Sequence, residues 1–444
     1  MGLSKAEFRR KLHAGHGRAV THLRDNGSAG LEEIVADACV RSRTLDRQCE
    51  DSRAYYLSLV LRHSGQAALA RDAVVARLGQ PRCSPDARQG VELLRELAFH
   101  GDPIARQWIE DNWRRWLAGG STEVAAARLL WTREEGYREA LESMPILWRR
   151  KRRQVTEGAS VHFAAARLLG EERASAMQQM LVDRCPWLEK IGDFPISWER
   201  SRAERTRATA RTFEEIQAEP DVSPALWGRD ADDEEIRKAA ERLTLSDDDA
   251  ELTRLLRVFS RRKFPLAPDV LLRLTDHSVR RVASRAYTAL ELLEDPVVRS
   301  FALSRLDDPE WGSQAIELLE VNFEPGDEEV IQRRLMQVPR QDLDASHDFL
   351  MAGLNVLKRR PEVGAAVFSK VYEETPCSLC RHRAWDALQK GASLDSPLVD
   401  EAQYDADSGT RKSAREYARS TGLPVAELPL PSPLAVDEGE SSLP

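Results

Sequence analysis

Cys377 and Cys380 stand three residues apart with His382 close behind, in the stretch Glu374–Gly391, ETPCSLCRHRAWDALQKG. Thiolates and an imidazole at such spacing are zinc ligands, and a Cys-x-x-Cys pair is also a unit of dithiol–disulfide exchange. On a helix turning about 100° per residue the two Cys share a face, but His382 lies about 140° round from Cys377. One helix therefore cannot direct all three at one ion, and the sequence offers no second Cys/His pair to complete a tetrahedral set. A thiol at a helix N-terminus has a lowered pKa, so redox sensitivity of Cys377 is the remaining chemical reading. The expectation is a structural pair, with Cys380 a small buried hydrophobe.

The strongest basic run is WRRKRRQ, in which Trp148 precedes Arg149, Arg150, Arg152 and Arg153. It is followed by WERSRAERTRATAR, which brings Arg200, Arg207 and Arg211 near one helical face. A basic surface with Trp148 and Trp198 interleaved suits phosphates and stacked bases. Against this, the acidic runs DADDEE and SDDDAE offer carboxylates that would pair with the Arg residues. The expectation is a solvated or internally paired face, with phosphate binding as its rival. The nine His are scattered, His347-Asp348 is a lone pair, and no P-loop, GxSxG or dinucleotide fingerprint occurs. No metal or cofactor is expected.

The chain that must position these residues has 444 residues, more than one hydrophobic core usually serves. It is 42% hydrophobic, 31% charged and only 6% aromatic, which points away from an aromatic-rich β-sandwich. A net charge of −8 argues against a dedicated nucleic-acid protein, which needs a basic footprint. Six Cys in such a length make no disulfide framework. The opening residues lack the apolar core of a signal peptide, and no apolar run reaches the ~18 residues of a membrane span. The expected location is cytoplasmic, with no membrane contact.

Helical periodicity runs almost end to end. In LEEIVADACV, Leu31, Ile34, Val35 and Ala38 fall on one face. Gly101 marks a stop and Asp102-Pro103 the next start. Runs of strand type are hard to find, so the fold class expected is all-α.

A grid recurs along these helices. It reads Asp276, Val279, Arg280, Ala283, Ala286; then Asp295, Val298, Arg299, Ala302; then Asp308, Trp311, Ala315, where Gly312 replaces the Arg. It fits Asp102, Ala105, Arg106, Ile109 and also Asp407, Thr410, Arg411, Ala414, Tyr417. On the same grid Cys377 takes the Asp position and Cys380, Arg381, Ala384 and Ala387 follow, with Thr375-Pro376 expected as cap and first helical residue. This pattern resembles the HEAT-repeat family, and bacterial HEAT-like proteins in particular, most clearly over 230–420. The resemblance implies helical hairpins that stack into a solenoid, because a lone hairpin cannot bury its apolar face.

Two enzyme classes within that resemblance bear on function. HEAT-like DNA glycosylases for alkylated purines use a basic surface with Trp and Asp near the lesion. The residues of matching type here are Trp108, Asp111, Trp113 and Trp116, although Trp at this spacing more often packs between helices. HEAT-like hydroxylases that bind two irons use repeated His-Glu pairs, and this sequence has no His-Glu dipeptide.

The expected organisation is a helical HEAT-like segment over 1–190 and an irregular connection with a basic helix over 191–228. A second HEAT-like solenoid over 229–423 and a disordered Pro-rich tail over 424–444 complete it. The expected function is a non-enzymatic scaffold that holds an unidentified protein partner on its helical-repeat surface. Nucleic-acid binding or base excision centred on 108–211 is the alternative.

Overall fold

In a computed structural model, 72% of the described residues are helical and none forms a strand, as the end-to-end periodicity requires. The described residues are 2–46, 50–79, 84–119, 121–148, 154–182, 211–218, 222–338, 343–391 and 394–434, with backbone only at 145–148 and 154–160. The expected connection over 191–228 therefore lies largely outside them.

The first ten helices are α1 (Lys5–Ala14), α2 (Gly17–Asn26), α3 (Glu32–Val40), α4 (Ala54–Ser64), α5 (Ala67–Arg77), α6 (Pro85–Phe99), α7 (Pro103–Ala118), α8 (Glu123–Trp148), α9 (Gln154–Leu169) and α10 (Glu171–Val182). Next come α11 (Phe213–Ala218), α12 (Pro224–Asp230), α13 (Asp233–Leu245), α14 (Asp249–Val258), α15 (Asp269–Leu274), α16 (Arg280–Leu290) and α17 (Pro296–Arg305). The series closes with α18 (Gly312–Glu317), α19 (Asp327–Gln337), α20 (Leu343–Leu357), α21 (Pro361–Glu374), α22 (Ser378–Gly391), α23 (Ser396–Ala402) and α24 (Ser408–Thr421).

Capping chemistry sets many of these boundaries. Ser4 and Glu7 close a reciprocal capping box at the start of α1, and Gly15, at φ 72°, ends the helix in the left-handed region. Asp102 accepts from the amides of Ile104 and Ala105 at the head of α7 (3.0 and 2.8 Å), with Pro103 in the first turn. Asp295 caps α17 and Asp407 caps α24 in the same way.

Two grid Asp residues do something else. Asp276 lies ahead of α16, whose N-cap is Val279, and it binds the guanidinium of Arg305 at 2.6 Å. Asp308 accepts from the amides of Glu310 and Trp311 in the turn before α18 (2.9 and 3.0 Å). Thr375 likewise ends α21 instead of opening α22. Helix α22 begins at Ser378, because the Glu50 carboxylate captures both the amide and the hydroxyl of that residue (2.7 Å each).

The chain divides into two compact units. Unit one comprises Met1–Pro195, Pro376–His382 and Ser393–Pro444; unit two comprises Ile196–Thr375 and Arg383–Ala392. Unit one is thus assembled from both ends of the chain, which differs from the linear order of segments expected from sequence.

In unit one most helices pack on their successor and often on the one after, as in α1 on α2 and α3, α4 on α5 and α6, and α6 on α7 and α8, whereas α2 packs on α4. The core that results contains Phe8, Val35, Tyr56, Leu94 and Trp116, and from the far end of the sequence Tyr404, Ala406 and Leu434. Helix α2 packs on α23, and α23 on α24.

The Pro-rich residues 424–434 differ most from expectation. They lie along unit one rather than forming a disordered tail. Gln403 clamps the backbone of Pro424 and Ala426 (3.1 and 2.7 Å), and the Tyr55 hydroxyl donates to the Pro429 carbonyl (2.6 Å). Ser432 gives its amide and hydroxyl to the buried Glu96 carboxylate, while Leu434 enters the core. The segment builds no core of its own; it borrows one. The remaining expected tail, 435–444, is outside the described residues.

In unit two the pairs α13–α14, α15–α16, α17–α18, α19–α20 and α20–α21 pack together, and α12, α14, α16, α18 and α20 each pack on the next member of that series. Buried Phe259 and Phe264 meet edge to face at 4.9 Å, and Tyr287 stacks on Trp311 at 5.3 Å.

Candidate functional site

Cys377 and Cys380 are both buried thiols, and Cys380 fills the apolar position assigned to it by the grid. The His382 ring turns its Nδ1 toward Asp407 and Thr410 (3.3 and 3.2 Å). Burial raises the Asp407 carboxyl above its ordinary range, with His382 pulling the other way.

Of the basic run, Trp148 is the final residue of α8, and its side chain and the whole of Arg149, Arg150, Arg152, Arg153, Arg200 and Arg207 lie outside the described residues. Arg211 is described: it is half-buried, and its carbonyl accepts from the Trp227 indole at 2.9 Å. The Trp residues of α7 have packing roles. Trp113 and Trp116 are buried, Trp116 meets half-buried Trp108 edge to face, and Arg114 and Arg128 lie over the Trp113 ring at 4.6 and 4.8 Å. Asp111 is exposed and accepts from Gln107 at 2.9 Å. Two buried indoles cannot receive a base by stacking, because both faces are already covered.

The densest charged constellation was not singled out from the sequence. In unit one Arg381, fully buried, donates to both Asp405 oxygens (2.5 and 3.0 Å) and to the carbonyls of Ala14 and Gly15 (3.0 and 3.2 Å). Arg411 donates to the carbonyls of Asp405 and Ala406 (2.7 and 2.8 Å) and lies over the Tyr55 ring. Around them Asp51 takes the amide and hydroxyl of Ser408, and Glu50 takes Ser378 and Arg53.

Backbone contact is equally close. The Ala406 amide donates to Gly15 at 2.8 Å, and at Gly17 a Cβ would overlap the Glu401 carbonyl. Each buried carboxylate in this cluster receives several charge-assisted hydrogen bonds, so the arrangement holds two chain segments in register. The usable signal was local: DADSGTRKSAR concentrates Asp405, Asp407 and Arg411, and Gly15-His16-Gly17 marks a tight helix junction.

Unit two carries its own titratable cluster. Burial, with the Glu317 and Glu320 carboxylates nearby, pushes the Glu291 carboxyl up to about 8 from 4.5. The folded chain thus keeps a proton that the unfolded chain releases, and stability falls as pH rises between these values and levels off above them. Glu291→Gln is expected to raise the melting temperature at pH 9 and leave it unchanged at pH 4. The gain at pH 9 is about 2 kcal/mol after allowance for screening of a half-buried group. Equal melting shifts at both pH values would contradict this.

Around this unit, Leu245, Leu292, Val297, Met336, Leu343 and Val363 are exposed apolar side chains at or near helix ends. No helix among the described residues is long and apolar enough to cross a membrane.

Comparison of the chain with protein-family models, with curated proteins and with solved structures finds no match.

Proposed function

We propose that the chain is a HEAT-like α-solenoid protein acting as a non-enzymatic scaffold that holds a partner protein along its helical repeats. The observation that supports this most is a recurrent link in unit two between groups 28 or 29 residues apart. Arg262 reaches Asp233, Asn322 reaches the Leu293 carbonyl and Arg305 reaches Asp276, each across 29 residues. Arg299 reaches Asp327 and Arg334 reaches the Leu306 carbonyl, each across 28. Polar staples at a recurrent separation, over a series of second helices packed in succession, fit a pattern of similar units that contact mainly their neighbours.

Such a series leaves apolar side chains of successive hairpins facing outward. Many modest contacts of this kind hold a protein surface without any reacting group. Val297 and Met336 are two such exposed side chains.

The test compares retention of host proteins by the immobilised full-length chain and by its Val297→Glu/Met336→Glu variant, with circular dichroism as the folding control. A partner that binds the parent in the presence of nuclease, and binds the variant at least about tenfold more weakly, is the expected result. Retention that nuclease abolishes, or that falls away steeply with salt, would replace the scaffold by the nucleic-acid reading.

A further inference from the structure

We propose that unit one carries a binding niche for a tetrahedral oxyanion of the phosphate class, where the ends of α1 and α3 meet the start of α4. The niche is lined by His13, Arg41, Arg43, Arg53, Tyr56 and Gln89, among others. It holds about 210 Å³ counting its open mouth, and its inner part has room for about one water-sized atom group.

Two buried nitrogens at this niche have no hydrogen-bond partner. Arg53 is 5% exposed; its Nη2 binds Glu50 at 2.8 Å and its Nη1 the His13 carbonyl at 3.3 Å, yet its Nε is buried with no hydrogen-bond partner. His13 Nε2 is buried and also lacks one, its nearest carboxylate oxygen being on Asp37 at 4.0 Å. A buried N–H left unpaired is costly, most of all on a charged group, so the Arg53 Nε–H at a cavity points to a ligand that supplies an acceptor, to which His13 donates in its Nε2–H form.

Charge gives the ligand its sign. The guanidinium groups of Arg41, Arg43 and Arg53 face the carboxylates of Asp37 and Glu50: Asp37 sits 3.1 Å from Arg41 and 3.3 Å from Arg43, and Glu50 is committed to Arg53 and Ser378. Asp86 in turn accepts from the Ser42 amide at 2.8 Å, so these carboxylates are already engaged and the Arg53 Nε is left a cationic donor with no acceptor. Burial first and the Arg43 charge second hold the His13 imidazole below its ordinary range, with Asp37 pulling the other way. A neutral water would offer that cationic donor an acceptor without a counter-charge. An oxyanion answers both: one oxygen enters the inner part toward Arg53 and His13, and the others stay at the mouth within reach of Arg41 and Arg43, whose side chains are more than one-third exposed.

The test uses the full chain, with inorganic phosphate and pyrophosphate as probes, each at about 10 mM and at ionic strength matched with sodium chloride. Phosphate, pyrophosphate or both should raise the melting temperature above the chloride control. The bound probe should also move the His13 proton resonance and raise that imidazole's pKa. Binding of pyrophosphate alone would identify the terminal group of a larger ligand as the natural occupant, whereas equal binding would identify the free ion.

Arg41→Gln/Arg43→Gln changes only exposed side chains, so it should keep the fold and weaken probe binding at least about tenfold. Arg173→Gln, an exposed guanidinium elsewhere in unit one, should leave it unaltered. Melting temperatures identical in phosphate, pyrophosphate and chloride would overturn the proposal, as would unweakened binding by the double variant.

Discussion

Arg381→Ala is expected to destabilise unit one by about 3–5 kcal/mol, because it strands Asp405 as an uncompensated charge in a dry interior. The guanidinium has no solvent exposure, it satisfies both oxygens of a carboxylate that is itself fully buried, and it also binds two carbonyls of the α1–α2 turn. Removing it therefore breaks the pair and takes a donor from the Ala14 carbonyl, while Gly15 keeps the Ala406 amide. The double replacement Arg381→Met/Asp405→Leu should recover much of the loss, since apolar groups of similar volume carry no charge to strand. The measurement is urea denaturation read by limited proteolysis with fragment mapping, so that loss of unit one is separated from loss of unit two. If Arg381→Ala melts like the parent, or the double variant is worse than the single one, the buried pair does not have this role.

Gly17→Ala should cost about 3 kcal/mol, an unusually large effect for one added methyl group. The residue opens α2 directly against the backbone of Glu401, and a Cβ there would meet a carbonyl oxygen, its carbon at 2.8 Å and the Asp405 amide at 3.1 Å. Backbone cannot rotate aside as the end of a side chain can, so α2 and α23 must separate. Gly79→Ala is the matched control: among the described residues beyond its chain neighbours the nearest atom to the added carbon is the Ala76 carbonyl oxygen at 3.8 Å, and its thermal midpoint should stay within about a degree of the parent. Equal midpoints for the two variants would show that α2 and α23 are free to part.

Helical content was legible because period and composition are local properties. Leu31, Ile34, Val35 and Ala38 had only to fall on one face of α3 to declare it, and all of them are buried. Caps were legible where Asp stood immediately before a helix-starting Pro, as at Asp102 and Asp295. They were misread where a distant side chain competed, as when Glu50 moved the start of α22 past Thr375. The resting place of 424–434 was not legible at all. Its composition carries no period, and what orders it is Tyr55, Glu96 and Gln403, of which two stand more than three hundred residues away. The same reason hid the Arg381 centre: on the grid Arg381 resembles Arg280, which is exposed, and only pairing with Asp405 and the α1–α2 turn separates the two.

The split composition of unit one sets an order on synthesis. Its first ten helices leave the ribosome with the Gly15–Gly17 junction and the Tyr55–Glu96 groove uncovered, and all of unit two must be made before α23, α24 and the Pro-rich strap arrive to cover them. Translation at about 5–20 residues per second makes that wait tens of seconds. During this interval the unfinished half exposes apolar surface that chaperones would have to shield, so a ribosome stalled within unit two leaves a nascent chain vulnerable at its oldest end.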